Sequence, residues 1–159
     1  MNHIKHMEEA CDLSSLSVKL GGGPFGAIII ENNTNKIVGK GHNMVVLEND
    51  PTLHAEIVAI RNACYTLNDF KLDNCTLYTS CEPCPMCLSA IYWARIPTVY
   101  YGNTKIDANN VGFDDAFIYD DLKKDINERS IKMIHLKECS DYAKNGFNEW
   151  TIKKDKVNY

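Results

Sequence analysis

Apolar residues Ile4, Met7, Cys11 and Leu16 recur along an otherwise polar N-terminal stretch, a spacing that predicts a weakly amphipathic helix carrying those side chains on its inner face. Gly21-Gly22-Gly23-Pro24 breaks it. Two β-rich runs follow, Phe25 to Glu31 and Lys36 to Gly41, and the Asn32-Asn33 pair between them predicts a hairpin. Ile57, Val58, Ile60 and Arg61 mark a second helix, for which Thr52 is the expected N-cap. CTLYT and TVYYG are short strands separated by a helical run through Leu88, Ile91 and Trp93 that Pro97 stops, a β-α-β pattern that makes the two strands parallel. A further strand over Ile131 to Lys137 and a C-terminal helix from about Asp141 complete the expected architecture, a three-layer α/β/α sandwich around a central mixed sheet. At 159 residues and 45% hydrophobic composition, the chain suits one well-buried domain over 1–159 rather than two large ones.

The chemistry is concentrated where two predicted helices begin. His54-Ala55-Glu56 opens one, and Pro83-Cys84-Pro85-Met86-Cys87 opens the other. One imidazole and two thiolates give zinc three protein ligands, whereas a closed structural site has four, so a fourth position is left for water. Pro83 and Pro85 suit the first turn of a helix, which puts Cys84 and Cys87 on one face of that turn. Free N–H groups and the positive end of the helix dipole favour thiolate over thiol there. Glu56 is the candidate catalyst, since a carboxylate beside a zinc-activated water can take its proton and hand it to a substrate. Cys81 and Cys84 form a second C-x-x-C, so the ligand pair has an alternative, although Cys81 is expected to end the preceding strand.

Composition narrows the setting. No apolar run approaches membrane-spanning length, and MNHIKHMEEACD lacks the pattern of a signal peptide, so a cytoplasmic protein is expected. Seven cysteines without export signals suit reduced thiols rather than a disulfide framework. A net charge of −4 offers no global attraction for phosphate backbones, and no nucleic-acid partner is expected.

H-x-E followed at a distance by P-C-x-x-C is the signature of zinc nucleobase and nucleoside deaminases. GGGPFGAIII, NDPTLHAEIVAIRNAC, LYTSCEPCPMCLSAIYWAR and GFDDAFIY, in order from Gly21 to Tyr119, resemble more closely the small bacterial-type guanine deaminases of the cytidine-deaminase superfamily. The resemblance implies that His54, Cys84 and Cys87 hold zinc, that Glu56 shuttles protons, and that Asp115 is a second proton-handling carboxylate. It implies Asn43 as a hydrogen-bonding partner of the purine and Phe25 and Trp93 as aromatic pocket residues. It further implies a homodimer in which residues 139–159, ending at Tyr159, swap onto the partner and close its site, although CSDYAKNGFNEWTIKKDKVNY departs from the family pattern. Without the resemblance, Asp114 and Asp115 suit a solvated acidic loop, Phe25 and Trp93 suit core packing, Asn43 is an ordinary loop amide, and His3, His6, His42 and His135 have no partner motif.

The implied reaction is zinc-dependent hydrolysis of guanine, a small-molecule purine, to xanthine and ammonia. Guanosine and tRNA adenosine are the alternative substrates, and a zinc-stabilised interaction module is the alternative without turnover.

Overall fold

Gly39 and Gly41 explain how the site is placed, because they let a helix lie directly on the sheet. A Cβ at Gly41 would collide with the Ala55 carbonyl, and one at Gly39 with the Ala59 carbonyl. The computed structural model, which describes residues 2–159, has these glycines in β2 (Lys36–His42), the outer strand of a four-stranded sheet ordered β2-β1-β3-β4. β1 (Gly26–Glu31) pairs antiparallel with β2 and with β3 (Cys75–Cys81), while β4 (Thr98–Asn103) runs parallel to β3, so the sheet is mixed as expected. The turn between β1 and β2 lies at Asn32–Asn35, where Asn35 takes a positive φ of 55°.

Helices cover both faces. α1 (His3–Lys19) packs on one, over Ile28, Ile30 and Tyr78. A short turn of helix, α2 (Val45–Glu48), follows β2. α3 (Ala55–Leu67) and α4 (Pro85–Trp93) lie on the other face, where Ala55, Ala59 and Ala63 meet Ala27, Ile29, Leu77 and Ile91 in the main core. Parity along β3 sorts its side chains: Cys75 and Leu77 face α3, and Tyr78 faces α1. The three-layer α/β/α sandwich is therefore realised.

The chain divides into two compact units, one ending at Tyr119 and one over Asp120–Tyr159. The first also holds α5 (Lys105–Asn110) and most of α6 (Ala116–Leu122). The second carries two single 3₁₀ turns and α7 (Ser140–Ile152), none of whose side chains is buried.

Three sequence expectations are corrected. The buried stripe of α1 is His6, Ala10 and Ser17 with Met7 and Leu13 beside it, while Ile4 is 74% exposed and Cys11 and Leu16 are also exposed. Small side chains win that face because the helix lies close enough for Ala10 and Leu13 backbone to exclude a Cβ at Gly26. Thr52 does not cap α3. Its N–H and hydroxyl both donate to Asp50 Oδ1, at 2.8 and 2.6 Å, in a turn before the helix, and His54 takes the N-cap position. Ile131 to Lys137 forms no strand; its residues are exposed, and an extended run without a pairing neighbour has nothing to satisfy its backbone.

Candidate active site

α3 and α4 begin at the same place, and each begins with a candidate metal ligand. His54 is the N-cap of α3 and Cys84 the N-cap of α4, both in extended backbone conformation, with Pro85 at the first helical position of α4. The Cys84 carbonyl accepts the first intrahelical bond from Leu88 N at 2.8 Å, and Cys87 follows three residues on. His54 Nδ1 stands 3.5 Å from Cys84 Sγ and 3.5 Å from Cys87 Sγ. Tetrahedral zinc with nitrogen at about 2.05 Å and sulfur at about 2.3 Å sets a nitrogen-to-sulfur separation of about 3.6 Å, so these three donors fit the ion. Among the described residues they are the only cluster of three such donors close enough to hold a metal. Cys81 ends β3, gives its thiol hydrogen to the Thr104 carbonyl at 3.7 Å and stays outside the cluster.

Electrostatics at the helix starts are prepared for a cation. The Cys84 thiol is held down to about 4, first by the hydrogen bond from Cys87 and then by His54, against the opposing effect of burial. Cys87 is raised, first by that same hydrogen bond to Cys84, then by burial and the Glu56 carboxylate. One proton is thus shared between two sulfurs, and a bound cation takes its place. Cys81 is pushed up to about 11, chiefly by burial, and remains a thiol.

Glu56 is the second residue of α3, buried, with Oε1 accepting from the Thr79 hydroxyl at 3.1 Å and Oε2 lying 3.4 Å from Cys87 Sγ. Burial is the main cause of its raised pKa, which suits a carboxyl that both takes and gives a proton. Asp115 stands at the start of α6 with Oδ1 buried and without a hydrogen-bond partner, and burial, followed by the Cys84 charge, raises its pKa as well. Asn43 is oriented by two backbone donors, Gly23 N and Val45 N, at 3.4 and 3.3 Å from Oδ1. Its carbonyl in turn accepts from Ser17 Oγ at 3.1 Å.

These groups line one cavity of about 690 Å³, with Asn43, His54, Glu56, Cys84 and Asp115 as its polar wall. Phe25 lies in the same lining, its ring edge-on to Phe113 with centroids 4.9 Å apart. Trp93 is not part of it: the last residue of α4 is turned outward and 67% exposed, because a helix that presents Cys87 and Ile91 inward carries position 93 on its outer side. Tyr159 belongs to the second unit and is exposed. Thr79, Phe113 and Glu82 also border the site and were not singled out from sequence. Strand parity was the available signal for Thr79, which follows Leu77 on the face that receives α3.

Residues 1–103 match the family model described as the cytidine and deoxycytidylate deaminase zinc-binding region. Guanine deaminase of Bacillus subtilis is 51% identical over 132 residues, covering 82% of this chain and 83% of that protein. The crystal structure of a Bacillus subtilis guanine deaminase superposes with a TM-score of 0.91 at 45% identity, covering 100% of this chain and 99% of the other. The tRNA-specific adenosine deaminase of Haemophilus influenzae is more distant, 35% identical over 86% of this chain and 78% of its own length. The matched region closes at the end of β4 and so contains both ligand helices whole; this chain belongs to the cytidine and deoxycytidylate deaminase family and takes zinc as its metal.

Proposed function

We infer that the chain hydrolyses the exocyclic amine of free guanine, giving xanthine and ammonia. The observation that carries this reading is Asp115, which lines the cavity together with Glu56, His54 and Cys84 and whose buried Oδ1 accepts from no donor. An unsatisfied buried acceptor costs free energy until a donor arrives, and an aromatic amine supplies one. The likeness to guanine deaminases over most of the chain supports the same substrate.

His54, Cys84 and Cys87 hold the zinc, which when bound supplies a Lewis acid that lowers the pKa of water toward neutrality. Glu56, its Oε1 fixed by Thr79, takes the proton from the attacking water as oxygen adds to C2 and delivers it to the adjacent ring nitrogen. The remaining hydroxyl proton passes to the amine through Glu56 and Asp115 as the C–N bond breaks and ammonia leaves. Asn43, with its oxygen occupied by two backbone donors, turns its NH₂ toward an acceptor on the purine edge, and Phe25 and Phe113 cover the base. Domain 1–159 then acts as a single deaminase domain in the cytoplasm; no helix among the described residues is long and apolar enough to cross a membrane.

The protein acts as a homodimer whose segment 139–159 closes the partner's pocket. Support comes from α7, which leaves Tyr142, Phe147 and Ile152 exposed and buries none of its side chains. Truncation after Glu138 should convert the dimer to a monomer and lower activity; a truncated protein that still dimerises with unchanged kinetics would remove the tail from the site.

Ammonia release across guanine, guanosine, adenine and cytosine tests the substrate. Guanine should have the highest kcat/KM, because a pocket with fixed hydrogen-bonding groups leaves them unpaired against the wrong base edge. A cavity of about 690 Å³ is roomy for a flat base and favours guanosine as the second reading. A higher kcat/KM for guanosine would establish that reading instead.

A further inference from the structure

Asp115 immediately precedes α6, which has no buried residue, so packing alone does not fix where that carboxylate stands. The segment leading to it is a turn: Gly112 takes a φ of +93°, its N–H donates to Asn109 O at 3.0 Å, and Phe113 N donates to Ala108 O at 3.0 Å. Beyond Phe113, which lies against Phe25, the strongest tie is made by Tyr119, one helical turn after Asp115. The Tyr119 hydroxyl donates to the carbonyl of Pro83 at 2.7 Å, and Pro83 immediately precedes Cys84. Tyr119 N and Ile118 N both bond the Asp115 carbonyl, at 3.4 and 3.1 Å, so the ring and the carboxylate belong to one turn of backbone.

The loop at the other end of this tie is held as well. Lys105 N donates to Glu82 Oε2 at 3.0 Å, Lys105 Nζ stands 3.8 Å from Glu82 Oε1, and the same ammonium lies 5.2 Å from the centre of the Tyr119 ring. Glu82 N donates to Asn103 O at 2.8 Å at the end of β4. A hydroxyl-to-carbonyl bond thus connects the turn carrying Asp115 to the backbone just ahead of a zinc ligand.

We propose that Tyr119 is a positioning residue that latches α6 to the Pro83 carbonyl and thereby holds Asp115 over the reacting amine. The inference rests on the proton-handling role given to Asp115 above. The base is bound by Asn43 and Phe25 on other elements, so loss of the latch acts on turnover more than on binding. The Tyr119 hydroxyl bonds a backbone carbonyl and no side chain of the zinc ligands, so its removal should leave metal content unchanged.

Tyr119→Phe removes only the hydroxyl and keeps the ring under Lys105. In the zinc-loaded protein, kcat should fall about tenfold, the order of one neutral hydrogen bond, while KM moves far less. Amide exchange at Ile118 and Tyr119 should accelerate at unchanged zinc content. The deciding measurement is a double-mutant cycle with Asp115→Asn: if Tyr119 acts through Asp115, the Tyr119→Phe loss largely disappears in the Asp115→Asn background. Undiminished kcat in Tyr119→Phe, unaltered amide exchange, or an equal loss in both backgrounds would overturn the latch. Full activity of Asp115→Asn would instead overturn the reading beneath it, and the two failures are distinguishable because each is seen in a different single variant.

Discussion

The two walls of the cavity are built in opposite ways. The wall formed by the starts of α3 and α4 rests on close backbone packing: Gly39 and Gly41 press against α3, and Ala55, Ala59 and Ile91 are buried beside the metal-binding cluster. The wall over residues 104–119 is held by a capping box, an aromatic edge contact and the Tyr119 hydrogen bond, with Ala108 its single buried apolar residue. Ligand positions must agree to a fraction of an ångström for a metal to bind, which a packed core supplies. Groups that meet a substrate must also let it pass, and a lightly anchored segment permits that opening. In the proposed reading, metal binding falls on the closely packed wall and proton handling partly on the lightly packed one.

The largest effect should come from removing a ligand on the packed wall. Cys87→Ala should lose both zinc and turnover, whereas Cys81→Ala, whose thiol bonds the Thr104 carbonyl instead, should keep a full complement of zinc. Metal analysis of the two variants decides it, and retained zinc in Cys87→Ala would overturn the ligand set. Glu56→Gln comes next. It keeps the hydrogen bond from Thr79 and the fold but carries no transferable proton, so kcat should drop by about 10²- to 10⁴-fold with zinc still bound. Near-normal turnover would place the proton shuttle elsewhere.

Gly41→Val probes the packing itself. The new side chain would meet the Ala55 carbonyl, Ala59 N and the Val58 side chain, so α3 must move. Overpacking of this kind costs about 1–3 kcal/mol, readable as a lower urea midpoint, and zinc affinity should fall with it because His54 rides on the same helix. The smallest effect belongs to the other wall. Thr104 N and Oγ1 both bond Asp107 Oδ2 at 2.8 Å, so Thr104→Ala should cost about 1 kcal/mol, the usual cost of losing an N-cap. Asp107 has a lowered pKa, first from the Thr104 N–H and then from its hydroxyl. Its contribution is therefore full above the ordinary carboxylate pKa and is lost as pH falls through the depressed one. Thr104→Ala should flatten that acid limb in a stability-against-pH curve, leaving zinc binding untouched; a coupled loss of zinc would show that the two walls are not independent.

His54, Glu56, Cys84 and Cys87 were legible because their chemistry is local: each pair lies within one helical turn, and the prolines and spacing announce the helix start. The β1–β2 hairpin and the parallel β3–β4 pair were legible from alternation and turn residues for the same reason. Asp50 took the hydroxyl assigned to capping α3, a competition between neighbours that propensity does not rank. Trp93 was placed at the pocket by resemblance, and the rotation of α4 turned it outward.

The sequence by itself determined the metal, the cluster of His54, Cys84 and Cys87 able to hold it, the Glu56 carboxylate beside that cluster and the layered α/β architecture, since each depends on residue type and short spacing. Tertiary structure alone decided which side of α1 is buried, that Thr79 orients Glu56 from a strand 23 residues away, and that Tyr119 reaches a carbonyl 36 residues back. Those contacts form only when the sheet brings distant segments together, and no pattern along the chain encodes a distance across it.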